Sequence, residues 1–139
     1  MTGDVLDTKA VTAGRLTLER HIGLLALGLC AAVAATAHLC ISIPRGDSQM
    51  AAIWLPNAWA VAAMLRTRGR HWPLLAAAAF VGGMVAHFTT GGWSLAWAGP
   101  TSGNVLECVF VAWATRRFCG RDFDLRRVSH LLILVTAAL

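Results

Sequence analysis

Residues 22–43 carry no formally charged side chain, and this run constrains the fold more than any other feature of the chain. The run reads IGLLALGLCAAVAATAHLCISI and stops at Pro44. A helix of roughly 20 apolar residues crosses a bilayer core, so we expect a membrane-spanning helix. The alternative is a signal peptide, because Ala35, Thr36 and Ala37 resemble a cleavage site. The run continues past these residues and more apolar segments follow, which favours the span.

Three further apolar segments lie at residues 50–65, 73–90 and 95–115, and a fifth begins at residue 128. The 139 residues are 57% hydrophobic and 14% charged, which is more apolar surface than a soluble domain of this size can bury. We predict an all-α, polytopic transmembrane helix bundle with four spans plus the start of a fifth. Residues 1–20 are expected to form a cytoplasmic N-terminal tail. Residues 21–139 are expected to form a partial membrane domain, truncated within the fifth helix.

The basic residues predict the orientation of the bundle. Three of the 12 Lys and Arg lie in residues 1–20, three at 66–72 and five at 116–127, whereas Arg45 alone lies on the other side. Cytoplasmic loops are enriched in Lys and Arg, so the N-terminus is predicted to be cytoplasmic. Because the charge follows the topology, the net charge of +5 does not indicate a nucleic-acid partner. The four cysteines lack CxxC or metal-ligand spacing, and no cofactor is expected.

Four polar side chains lie within the predicted spans: Asn57, His87, Asn104 and Glu107. Counted at about 1.5 Å per residue from the cytoplasmic end of each helix, Asn57 and Glu107 both lie roughly 14 Å deep. Asn104 lies at roughly 18 Å and His87 at about 21 Å. A charged side chain at the centre of a membrane helix costs roughly 2.5–3.5 kcal/mol and usually faces other helices. We therefore predict that Glu107 faces into the bundle and is held there by amide groups.

Each of these residues also fits a purely structural role. Asn104 and Glu107 fit hydrogen-bonded links between helices. If Pro56 lies inside the second helix, it frees a backbone carbonyl that the bundle must satisfy. Asn57 alternatively fits the N-cap of a helix that restarts after Pro56. His87 fits an ordinary core histidine.

Four motifs occur in order along the chain. They are Ile53-Trp54-x-Pro56 before a small-residue helix, Gly82-Gly83 followed by His87, Asn104-x-x-Glu107 before a stretch that ends in Arg116-Arg117, and Phe123-Asp124-Leu125. Over residues 20–139 the chain resembles the type-one family of bacterial membrane-associated sensor (MASE) domains. The resemblance implies an all-helical, multi-pass domain of the bacterial inner membrane, N-terminal to a diguanylate cyclase, a cyclic-di-GMP phosphodiesterase or a histidine kinase. It also implies a small residue where Asn57 stands and Asn where His87 stands.

The leading hypothesis is a sensory input module that binds a ligand or a proton in an intramembrane polar pocket. The predicted pocket residues are Asn57, His87, Asn104, Glu107, Trp54 and Pro56. The alternative is a fragment of a proton-coupled small-molecule transporter, which the lack of a repeat between residues 22–66 and 73–117 disfavours. A haem or metal site on His38 and His87 is disfavoured by their different depths.

The chain itself is not expected to be an enzyme, because it contains no nucleophile–base pair and no phosphate loop. The expected partners are membrane lipids, the small-molecule or proton stimulus, and a cytoplasmic cyclase, phosphodiesterase or histidine kinase domain. A homodimer is a further option.

Overall fold

The computed structural model describes residues 3–42 and 55–119, with side chains described from residue 21 onward. Four α-helices account for most of these residues: α1 Gly3–Ser42, α2 Pro56–Arg66, α3 Trp72–Gly91 and α4 Ala98–Cys119. Short 3-10 turns at Gly69–His71 and Leu95–Trp97 lead into α3 and α4. The described residues contain no strand, so the predicted all-α class is confirmed.

The helix bounds differ from the predicted segments mainly at the ends. α1 begins at Gly3, so most of the predicted N-terminal tail is helical and continuous with the first apolar run. α3 agrees with the predicted segment 73–90, with Pro73 in its first turn, where no N–H donor is needed. α4 extends to Cys119, so the arginine pair belongs to its last turn. The predicted start of a fifth helix at residue 128 lies outside the described residues.

Pro56 is the first residue of α2, which corrects the prediction of a proline inside the second helix. Leu55 is the N-cap, and proline is favoured at the first helical position because its fixed φ suits the helix. Pro56 therefore frees no carbonyl within α2. Asn57 is not the cap either, because no side chain caps this end of the helix. Residues 43–54, which include Trp54, lie outside the described residues.

α1 and α3 form the most extensive helix pair in the described bundle. They run in the same direction, because Gly82 lies against Cys30 and the later residue Thr89 bonds to His38. Gly82 of α3 lies against Cys30 and Val33 of α1, and a Cβ added at Gly82 would lie 2.5 Å from the Cys30 carbonyl oxygen. Such a close approach is possible only for glycine, because any side chain would overlap the α1 backbone. α2 and α4 form a second pair, and Met64 and Leu75 are fully buried in the core.

Two stretches are long and apolar enough to cross a membrane: His21–Ser42, with mean hydropathy 2.2, and Gly69–Gly91, with mean hydropathy 1.5. Large apolar side chains also remain on the outside of the bundle, with Leu27 69% and Leu106 68% exposed. Apolar surface left outside in this way marks contact with a membrane or another protein. α2 has 11 residues and is only about 16 Å long. The number of spans and their orientation stay predictions.

Candidate functional site

A small cavity lies between the four helices, and its lining is mostly apolar with a few polar side chains. Its volume is about 20 Å³, which is enough for one water molecule. Asn57 of α2, His87 of α3 and Asn104 of α4 line it, as does Pro56. The structure therefore brings four of the six predicted pocket residues to one cavity. Trp54 lies outside the described residues, and Glu107 does not line the cavity.

The α3 and α4 walls of the cavity approach each other at Gly83. A Cβ at this position would lie 2.8 Å from the Thr101 methyl carbon. Thr101 is buried, and its hydroxyl donates to the Trp97 carbonyl oxygen at 2.8 Å. Both residues line the cavity, so its size depends on glycine at position 83.

Asn57 connects the cavity to the carboxylate of Glu107. The Asn57 Nδ2 donates to Glu107 Oε2 at 3.2 Å, and the Cys108 thiol donates to the Asn57 carbonyl oxygen at 3.7 Å. The two side chains were predicted to lie at the same depth because each stands nine residues before an arginine at the end of its helix. The contact places the two side chains at one level of the α2–α4 pair and shows that an amide holds the carboxylate, while their depth in a bilayer stays a prediction.

The prediction that Glu107 faces into the bundle is wrong. Its side chain is exposed on the flank of the α2–α4 pair, although it is hydrogen-bonded on one side. The buried face of α4 carries Thr101, Cys108, Val111, Ala112, Ala114 and Thr115. Glu107 precedes Cys108 by one residue, which turns its side chain about 100° away from this face. The carboxylate consequently reaches Asn57 from outside the cavity.

His87 stacks face to face on Trp97, with ring centroids 4.7 Å apart and planes 4° apart. Trp97 Nε1 is buried and has no hydrogen-bond partner within the described ranges. The role of Trp97 was not predicted. A signal for it exists, because His87 and Trp97 are equally distant in sequence from Gly92, the left-handed glycine (φ 80°) of the turn between α3 and α4. Residues equidistant from a tight turn face each other across two antiparallel helices.

His38 and His87 contact different partners. His38 Nδ1 is hydrogen-bonded to Thr89 Oγ1 at 3.1 Å, on the α1–α3 side of the bundle. His87 faces the cavity and Trp97. In the part of the chain that the structure describes, no group of three or more His, Cys, Asp and Glu side chains could hold a metal ion.

Arg116 joins the end of α4 to the end of α2, and we name this set of contacts the arginine clasp. Its Nη2 donates to the carbonyl oxygens of Met64 at 3.0 Å and Leu65 at 3.1 Å, and also to that of Thr67. Its guanidinium carbon lies 5.0 Å from the centre of the Trp72 ring, whose Nε1 donates to the Met64 carbonyl oxygen at 2.9 Å. A cation at these carbonyls also complements the dipole of α2.

The arrangement offers amide groups and an imidazole to a water-sized guest, together with a carboxylate one hydrogen bond away. These groups can exchange a proton or rearrange their hydrogen bonds, and the clasp lies about 14 Å further along the same helix pair. Within the described residues, α2 and α4 are thus joined at two levels, by the Asn57–Glu107 hydrogen bond beside the cavity and by the arginine clasp.

Neither the curated proteins nor the solved structures include a match to the chain. A family model, MASE1, matches residues 24–139, which is most of the chain. This match covers the cavity, the Asn57–Glu107 pair and the arginine clasp, and it confirms the resemblance drawn from the four motifs. The chain therefore belongs to the MASE1 family of membrane-associated sensor domains.

Proposed function

We propose that the chain is the sensory input part of a multi-pass inner-membrane receptor and that it detects its stimulus at the polar cavity. Membership of a membrane-associated sensor family supports the sensory role. One structural observation carries the choice of site. Asn57, His87 and Asn104 come from three different helices and line one cavity. A change at this cavity acts on the packing of all three helices at once.

The size of the cavity limits the stimulus. A volume of about 20 Å³ accommodates one water-sized group. A proton needs no additional space, whereas a larger ligand enters only if the helices separate. In both cases the stimulus acts by favouring one helix arrangement over another, because a ligand shifts an equilibrium only by its unequal affinity for the two states.

The α2–α4 pair is the proposed route from the cavity to the cytoplasm. The two helices are joined at the cavity by the Asn57–Glu107 hydrogen bond and at the far end by the arginine clasp. A displacement of α2 at the cavity therefore moves the end of α4, from which the chain continues. The proposed recipient is a cytoplasmic cyclase, phosphodiesterase or histidine kinase domain, which would perform any catalysis.

The test compares two substitutions on α4 in the full-length receptor. Asn104→Leu places an apolar side chain in the cavity wall, and Ser102→Leu introduces the same side chain at an exposed position. We expect Asn104→Leu to change the basal output in membranes and to reduce its response to external pH by at least several-fold. Ser102→Leu should leave both unchanged.

Unfolding of both variants in detergent controls for misfolding. If Asn104→Leu folds and its output equals that of the wild type at every pH, the cavity is not the sensory site. The His87→Leu variant repeats the test on a second helix, so that the conclusion does not depend on one substitution.

A further inference from the structure

One face of α4 carries an exposed apolar stripe that ends in an arginine. Leu106, Phe110, Trp113 and Arg117 follow one another at spacings of four, three and four residues, which places them on the same side of the helix. Leu106, Phe110 and Trp113 are 68%, 56% and 52% exposed, and Arg117 is also exposed. The Phe110 and Trp113 rings lie 6.0 Å apart and form one continuous aromatic surface.

The length of this α4 stripe matches one leaflet of a bilayer. From Leu106 to Arg117 the helix rises roughly 16 Å, which is about half of a bilayer core roughly 30 Å thick. An extended acyl chain of similar length can therefore lie along the apolar part while its headgroup reaches Arg117. With Arg117 at the headgroups, Trp113, one turn before it, would lie at the interface, where tryptophan is enriched in membrane proteins.

Arg117 has a different environment from its neighbour Arg116. The guanidinium of Arg116 lies in the arginine clasp, whereas Arg117 faces outward beside it. Glu107 is the only acidic residue in the range 55–119, and ten residues separate it from Arg117. The charge of Arg117 is therefore not neutralised by an acidic side chain of this range.

More positive charge lies at the same end of the bundle as Arg117, at the end of α2 and in the turn that follows it. Arg66 and Arg68 flank the Leu65 and Thr67 carbonyl oxygens that the clasp binds, so they lie at the same end of the bundle. Both side chains are exposed. Guanidinium groups bind phosphate oxygens in a bidentate manner, and several of them favour an anionic headgroup over a zwitterionic one.

We propose that the α4 stripe and its arginine end bind an anionic phospholipid, with an acyl chain on Phe110 and Trp113 and the headgroup phosphate on Arg117. The occupant is a lipid because the surface combines an apolar stripe as long as one leaflet with positive charge at one end that no acidic side chain of residues 55–119 neutralises. The site lies outside the polar cavity, and the proposal does not depend on the nature of the stimulus.

The test measures tryptophan quenching by brominated lipids in the full chain, reconstituted in liposomes. The bromine is placed on the acyl chains of either phosphatidylglycerol or phosphatidylcholine at the same mole fraction in the same mixture. We expect at least twofold stronger quenching when phosphatidylglycerol carries the bromine. We call this excess quenching by brominated phosphatidylglycerol the increment. Trp113→Phe should remove the increment and Trp93→Phe should keep it, because Trp93 lies in the turn at the opposite end of α4.

The headgroup contact is tested at Arg117. Arg117→Gln should remove the increment and Arg117→Lys should retain most of it. If Arg117→Gln also destabilises the chain, the wild type is measured in high salt instead. Salt should then reduce the extra quenching by phosphatidylglycerol, because it screens an exposed contact between a phosphate and an arginine.

Three results would overturn the proposal. Equal quenching by the two lipids would mean that the stripe is covered by bulk lipid without selection. An increment that survives both Arg117→Gln and high salt would place the headgroup elsewhere. Trp113 shielded from both brominated lipids would mean that a protein segment or a second copy of the chain covers the stripe.

Discussion

Gly82→Ala should weaken the contact between α1 and α3 more than alanine at any other described glycine. The added Cβ would lie 2.5 Å from the Cys30 carbonyl oxygen and 3.1 Å from Val33 Cβ. An ordinary contact begins near 3.4 Å, so the two backbones must separate by about 0.9 Å. The obstacle is a helical carbonyl, which cannot rotate away as a flexible side chain can.

The expected cost follows from two opposing effects. Overpacking of a closely fitted contact costs about 1–3 kcal/mol. Replacement of glycine by alanine in a helix contributes about 1 kcal/mol in the favourable direction. Gly28→Ala in α1 gives only the favourable effect, because nothing lies within 4 Å of a Cβ built there. The two alanine variants should therefore differ by about 1–3 kcal/mol, or roughly 5- to 150-fold in the unfolding equilibrium constant.

The assay is titration of the detergent-solubilised chain with dodecyl sulfate, followed by tryptophan fluorescence and far-ultraviolet circular dichroism. Gly82→Ala should unfold at a lower dodecyl sulfate fraction than the wild type, and Gly28→Ala at an equal or higher one. Equal midpoints for the two variants would refute the close α1–α3 approach, and with it the position of α3 beside the cavity.

The same titration tests three other contacts. In a double-mutant cycle, Asn57→Leu and Glu107→Leu should show a coupling free energy of about 0.6–1.7 kcal/mol, as other hydrogen bonds between membrane helices do. Additive effects on the free energy of unfolding would mean that the 3.2 Å contact does not stabilise the bundle. Arg116→Gln should lower the free energy of unfolding by about 1.5–3 kcal/mol, because the carbonyl oxygens at the end of α2 lose their charged donor. Arg117→Gln should leave it unchanged, and equal losses in the two variants would rule out the clasp. Trp97→Leu should lower the free energy of unfolding by about 0.5–1.5 kcal/mol in addition to the loss from reduced apolar burial, because the His87–Trp97 stacking is removed. An unchanged near-ultraviolet circular dichroism spectrum would argue against the stacked rings.

The sequence predicts the helices and the level of the polar groups because both follow from a fixed rise per residue. Counting from the arginines at the helix ends put Asn57 and Glu107 at one depth, and the side chains are in contact. α3 begins and ends close to its predicted bounds because Pro73 and the glycine pair Gly91–Gly92 limit it on both sides.

The direction of individual side chains is what the sequence does not supply. Depth alone cannot distinguish Glu107 from Cys108, which differ by about 100° around the helix. The adjacent arginines illustrate the same limit, because Arg116 turns inward to bind carbonyls and Arg117 turns outward. From the sequence, both arginines served only to predict which loops are cytoplasmic. The packing of α2 against α4 is what separates their roles.

The central claim is that the cavity acts on the output through the α2–α4 pair, and epistasis in the full-length receptor tests it most directly. The output is measured in four receptors: the wild type, Asn104→Leu, Arg116→Lys and the double variant. Arg116→Lys keeps the charge but removes the guanidinium that contacts several carbonyls at once. We predict that Asn104→Leu changes the output in the wild-type background, where the clasp is intact, and has little effect in the Arg116→Lys background, where the clasp is weakened. Independent, additive changes in the double variant would contradict this route for the signal.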